Sequence, residues 1–81
     1  MKRGTIAILN CDGNAWNGRV VLVTEPGDGH HEVMLPEQQV LPLGERQCML
    51  IHESYLTQLS PERQEQIANT MGLRLEALPY A

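Results

Sequence analysis

Short runs of aliphatic residues separated by glycine and proline dominate the chain up to about residue 59. Residues 5–10 and 19–25 are rich in β-branched and aliphatic side chains, and residues 31–35 and 47–52 repeat the pattern. Runs of this length between turn-forming residues predict β-strands. Residues 20–23 are apolar at every position, so we expect the second strand to be central and covered on both sides.

Turn-forming residues mark the limits of these runs. The sequence Pro26–Gly29 predicts a hairpin, because proline presets φ and glycine accepts positive φ. Pro36 ends the third strand. Residues 39–43 are a candidate fourth strand, and Pro42, which lacks an N–H group, places that strand at a sheet edge.

The pattern changes towards the C-terminus, where helical signals replace the short strands. Residues 53–59 predict a helical turn, and Ser60 and Pro61 are favourable residues for the N-cap and first position of a helix. Gly72 is placed as the left-handed residue that ends it. Leu73–Ala77 alternates apolar and polar residues and is a candidate for a short final strand.

Five short strands with glycine and proline between them predict a mainly β fold, a small five-stranded barrel with one C-terminal α-helix. We expect a single domain over residues 1–81, with the barrel in 1–59 and the helix and tail in 60–81. The order of parts resembles SH3-like barrels, including KOW-type modules. In those domains a glycine after an exposed loop opens a long strand, as Gly18 does here, and the last strand often runs into a short helical turn, as residues 48–59 do.

The charge balance bears on the partner. The net charge is −4, from ten acidic and six basic residues, and the bases are scattered: Lys2, Arg3, Arg19, Arg46, Arg63 and Arg74. A duplex binder usually carries a basic stripe that displaces counterions from phosphates. The KOW resemblance implies a nucleic-acid-associated module as one alternative function, but the acidic balance disfavours a nucleic-acid partner.

No segment of the sequence predicts export or membrane insertion. The apolar run after Lys2-Arg3 is shorter than a signal-peptide core, and no run approaches the length of a membrane span. The expected compartment is the cytoplasm, where Cys11 and Cys48 are reduced thiols.

Recognised catalytic motifs are absent from the sequence, so we expect no catalytic residue and no cofactor. The metal-ligand candidates are Cys11, His30, His31, Cys48 and His52, because sulfur and imidazole donors suit zinc. No Cys-x-x-Cys or His-x-x-x-His pair is present, and small buried thiols with solvated turn histidines are the simpler interpretation. A small zinc- or thiol-dependent protein built on these residues is a further alternative.

Trp16 stands out because it lies in a polar loop. A tryptophan there can be a binding hot spot, or it can fold back and cover one open end of the barrel. Asn14 and Asn17 flank it and Arg19 follows, and these four residues are the predicted partner-binding surface. We expect a non-catalytic interaction module that binds a protein partner through its barrel-end loops. Homodimerisation through an exposed sheet edge is a further expectation.

Overall fold

The computed structural model describes residues 1–71. Within them the strands are β1 (Ile6–Leu9), β2 (Val20–Glu25), β3 (His30–Met34), β4 (Cys48–His52) and β5 (Leu56–Gln58), and the helix α1 spans Pro61–Met71. All neighbouring strands are antiparallel, in the order β4-β3-β2-β1-β5. A small mainly β domain with one C-terminal helix is thus confirmed. Its sheet is unclosed, with β4 and β5 as its edges.

The strand β2 is central, with buried side chains on both faces. Val21, Leu22 and Val23 are fully buried. On one face lies a group that we call the sheet core: Ala7, Leu9, Val21, Val23, Val33, Leu35, Ile51 and Leu56. On the other face lies the helix-side cluster: Ile6, Leu22, Met34 and Ala68. The prediction that the second strand is covered on both sides is confirmed.

The predicted hairpin joins β2 to β3 through Pro26–Gly29. Gly27 approaches the chain so closely that a Cβ atom there would clash with the carbonyl oxygen of His30. Only glycine fits this position without a backbone shift, and the tight turn sets the register in which Val23 faces Val33.

The helix begins as the sequence predicts. The Ser60 hydroxyl accepts a hydrogen bond from the Arg63 N–H at 3.2 Å, which satisfies a donor of the first helical turn. The Gln64 side chain then ties the helix to the sheet, since its carbonyl oxygen accepts from the Ile6 N–H at 2.9 Å and its amide donates to the Leu59 carbonyl at 2.8 Å. No helix in residues 1–71 has the length and apolarity needed to cross a bilayer.

The predicted fourth strand at residues 39–43 is wrong. The chain forms two 3-10 helices there, Pro36–Val40 and Leu43–Glu45. The Arg46 side chain donates to the carbonyls of Leu41 and Gln39, at 2.9 and 2.8 Å. These bonds fold the segment back on itself and occupy carbonyl groups that a strand would offer to a neighbour.

The fifth strand lies where a helical turn was predicted. Only Glu53–Tyr55 is helical, as a 3-10 turn, and β5 follows it immediately. β5 pairs with β1, placing Leu56 opposite Leu9. The predicted helix stop at Gly72 and the candidate strand Leu73–Ala77 lie outside the described residues.

Candidate functional site

The loop between β1 and β2 is held by its own amide side chains. The Asn14 Oδ1 accepts from the Trp16 N–H at 2.8 Å, and the Asn17 Oδ1 accepts from the Cys11 N–H at 2.9 Å. Gly18 closes the loop with a φ of +80°, and its N–H donates to the Leu9 carbonyl at 2.7 Å. Positive φ favours glycine, which explains why glycine occupies this position before β2.

The Trp16 side chain is half-buried and packs against the sheet core. The half-buried side chains of Met1, Cys11 and Met49 pack against the same core. The Asn14 Nδ2 lies 3.0 Å from the Met49 Sδ, which links the loop to β4. These contacts are those of a ring that covers the core, and a direct role for Trp16 in binding a partner stays a prediction.

Arg19, the last member of the predicted surface, is exposed and donates to the carboxylate of Glu37. Both side chains are about half exposed, so solvent screens the pair and its contribution to stability is small. The ion pair offsets the positive charge that Arg19 offers to a partner.

A shallow cleft of about 600 Å³ lies beside this loop. Its lining consists of Asn10, Cys11, Asp12, Asn17, Gly18 and Tyr55. It thus contains Asn17 of the predicted surface, but not Asn14, Trp16 or Arg19. Tyr55, one of the three aromatic residues of the chain, is 46% exposed.

Hydrogen bonds fix the walls of the cleft relative to each other. The Asn10 N–H donates to the Tyr55 carbonyl at 2.8 Å, and the Asn10 Nδ2 donates to the Thr57 hydroxyl at 2.8 Å. Tyr55 was missed in the sequence, because a tyrosine before an apolar residue in a predicted helical turn is equally compatible with burial. The sequence held no signal for this position, because it is the 3-10 turn seen in the structure that leaves Tyr55 exposed and places the following Leu56 in the core.

The chemistry of the lining is polar and contains no cation. Asp12 supplies a carboxylate, Asn10 and Asn17 supply amides, and Tyr55 supplies an aromatic face with a hydroxyl. Such a surface can accept and donate hydrogen bonds and can pack against an apolar or cationic side chain. It offers no positive charge to a phosphate.

The three histidines serve two separate arrangements. His31 is 3% exposed; its Nδ1 accepts from the Gly27 N–H at 3.1 Å, and its Nε2 lies 3.2 Å from Glu53 Oε1. The Met1 amino group lies 3.3 Å from the same carboxylate oxygen. The hydrogen bond from His31, followed by the amino group, lowers the pKa of Glu53. Both nitrogens of His31 are thus engaged in structural bonds.

His30 and His52 face each other across β3 and β4, with ring centroids 4.8 Å apart and the rings nearly perpendicular. The Ser54 N–H donates to the His52 Nδ1 at 3.1 Å. The Ser54 hydroxyl lies 2.8 Å from the same nitrogen, so Ser54 engages the Nδ1 of His52 twice. Within residues 1–71, no three Cys, His, Asp or Glu side chains form a group that could hold a metal ion.

Neither cysteine forms a disulfide, and the surroundings of Cys48 are not those of a reactive thiol. Partial desolvation, followed by the charge of Glu32 and a hydrogen bond with it, raises the pKa of Cys48. Although Cys48 is exposed as a residue, this environment disfavours the thiolate that nucleophilic attack requires. Cys11 is half-buried against the sheet core.

Comparison of the chain with protein-family models, with curated proteins and with solved structures finds no match.

Proposed function

We propose that this protein is a non-catalytic interaction module that holds a segment of a protein partner in the cleft between residues 10–18 and Tyr55. The observation that carries the proposal is an exposed tyrosine, Tyr55, whose backbone carbonyl is hydrogen-bonded to Asn10 beside the polar groups of the cleft. Tyrosine is enriched at protein interfaces, because its ring gives a large contact area at a low cost in side-chain entropy. A rigid cleft also avoids part of the ordering cost of association.

The proposal places this cleft at the end of a small SH3-like barrel. Its support is the composition of the sheet core, which draws side chains from every strand, including Ile51 of β4 and Leu56 of β5. A closed barrel requires both edge strands to contribute to one core in this way. The two unpaired thiols are compatible with the cytoplasm as the compartment.

A protein partner is favoured over nucleic acid by the positions of the charges. Asp12 lies in the lining, where it would repel phosphate. Arg3 contacts the carboxylate of Glu25, and Arg19 contacts that of Glu37. Arg46 donates to carbonyl groups of its own loop.

The test is selection of binders from a displayed random-peptide library on the immobilised full chain, followed by titration of the enriched peptides. Tyr55→Ala is expected to weaken binding at least tenfold, because it removes the exposed ring. Asn69→Ala, a change on the exposed surface of α1, is the matched control and should leave affinity unchanged. Enriched peptides that bind Tyr55→Ala as tightly as wild type would refute the proposal.

Trp16→Ala separates the two interpretations of the tryptophan in the same assay. If the ring covers the core, the variant loses several degrees in Tm. If the ring is a hot spot, Tm is retained and peptide affinity falls. The half-buried packing of Trp16 leads us to expect the loss of Tm.

A further inference from the structure

The edge strand β4 lacks the features that protect sheet edges. Proteins usually guard an edge with a short strand, a lysine, a proline or a bulge. The opposite edge follows this rule, since β5 has three residues. In contrast, β4 has five residues, reads Cys-Met-Leu-Ile-His, and contains no proline, lysine or acidic residue.

Backbone groups of β4 point in alternating directions, and one set points away from the sheet. The Glu53 N–H donates to the Gly29 carbonyl, so the ladder with β3 uses the groups of Ile51 and Met49 in the same register. The N–H and C=O groups of Cys48, Leu50 and His52 therefore face the open edge. In residues 1–71, no backbone hydrogen bond beyond the sheet ladders involves these three residues.

The side chains of the same three residues are exposed, and Leu50 is the most apolar of them. It is 69% exposed in the middle of the strand. Its cross-strand neighbour is Glu32, so β3 supplies no apolar cover. An apolar side chain thus lies at the centre of an unpaired edge.

We propose that a second copy of this chain pairs antiparallel with β4, around a two-fold axis at Leu50. In this register Leu50 faces Leu50 of the second copy, and Cys48 faces His52. In this register Cys48, Leu50 and His52, whose backbone groups face the open edge, pair only with one another. Each outward N–H therefore meets an outward carbonyl. The two leucine side chains lie side by side and bury each other.

Strand length and the absence of like-charge contacts favour this register and a second copy as the occupant. The positions that flank the strand, Gln47 and Glu53, come opposite each other, so no like charges oppose each other despite the net charge of −4. Moving the axis to Cys48 would place Arg46 opposite Leu50. Moving it to His52 would place Leu50 opposite Ser54, where the chain has already left the strand.

Sedimentation velocity of the full chain over a wide range of concentration tests the proposal, which does not depend on the cleft. We expect a concentration-dependent dimer. Leu50→Lys should give a monomer with an unchanged circular-dichroism spectrum. Gln58→Lys, on the exposed part of β5, is the matched control and should leave the dimer intact. A monomer at every concentration, or a dimer that survives Leu50→Lys, would overturn the proposal.

Cysteine cross-linking tests the register. Leu50→Cys, combined with Cys11→Ser and Cys48→Ser, should form a disulfide-linked dimer on oxidation, because facing residues in a hydrogen-bonded pair have Cα atoms about 5.5 Å apart. Cys48 in the Cys11→Ser variant should not cross-link, since the two copies of Cys48 lie four residues apart along the ladder. The reverse result would contradict the register.

Hydrogen exchange tests whether residues 72–81 of the same chain, instead of a second copy, cover the edge of β4. In the dimer, the amides of Cys48, Leu50 and His52 should exchange more slowly as concentration rises. Slow exchange in a monomer, independent of concentration, would assign the edge to those residues and overturn pairing with a second copy.

Discussion

The two faces of the sheet are buried in different ways. The sheet core receives side chains from all five strands, and the β1–β2 loop adds Trp16 to its border. The helix-side cluster has only four buried residues, and α1 supplies just one of them, Ala68. The strands therefore complete one core among themselves, whereas the second face depends on a helix that covers part of it.

The difference between the two faces is visible along β3, whose successive side chains point to opposite faces of the sheet. His31 and Val33 are buried on the face of the sheet core, whereas His30 is exposed and Glu32 is half-buried on the face of the helix. The features that we assign to pairing with a second copy lie on this less covered face. A small domain with one complete core can leave part of its other face open for assembly.

The largest expected effect comes from truncating one side chain on each face. Leu9→Ala in the sheet core should lower the free energy of unfolding by about 3 kcal/mol, because it leaves a cavity among fully buried neighbours. Ile67→Ala, at the half-buried border of the helix-side cluster, should cost about 1 kcal/mol, since alanine also favours the helix. Urea unfolding measures both values, and equal losses would contradict the difference between the faces.

The next largest loss of stability is expected in the turn before β3, because this turn sets the register of side chains on both faces of the sheet. Gly27→Ala should cost about 1–3 kcal/mol, since the added Cβ meets the His30 carbonyl oxygen and the backbone must shift. Gly44→Ala is the matched control, because a Cβ there meets no atom within 4 Å. Thermal unfolding of both variants checks the prediction, and a Gly27→Ala protein as stable as Gly44→Ala would show that the turn adjusts freely.

The sequence was informative where a local pattern sufficed. The central β2 follows from four consecutive aliphatic residues, and the start of α1 follows from Ser60 and Pro61. The sequence failed where a distant partner decides the structure. β5 is only three residues long and exists because β1, about fifty residues earlier, pairs with it.

The candidate site shows the same division. The polar loop at residues 10–18 could be identified from its asparagines and glycines, and Asn17 lies in the cleft. Tyr55 could not be identified, since its place in the cleft depends on a hydrogen bond between its carbonyl and Asn10. The sequence also suggested the segment 39–43 as an edge strand, because it does not reveal that Arg46 folds back onto its carbonyls.

The smallest expected effect concerns the polar end of the sheet core, where Glu53 bonds to His31 and to the Met1 amino group. These contacts lower the pKa of Glu53 in the folded state, so their stabilisation is complete above the ordinary glutamate pKa of about 4.5. It is lost as the pH falls through the lower pKa of the folded state, because a protonated carboxyl no longer attracts either donor as strongly. Tm should therefore fall less steeply on acidification in Glu53→Gln than in the wild type. Glu45→Gln, a change to an exposed carboxylate of the loop before β4, should keep the wild-type slope. Identical slopes for all three proteins would show that the contacts of Glu53 with His31 and the Met1 amino group add nothing to the stability of the folded state.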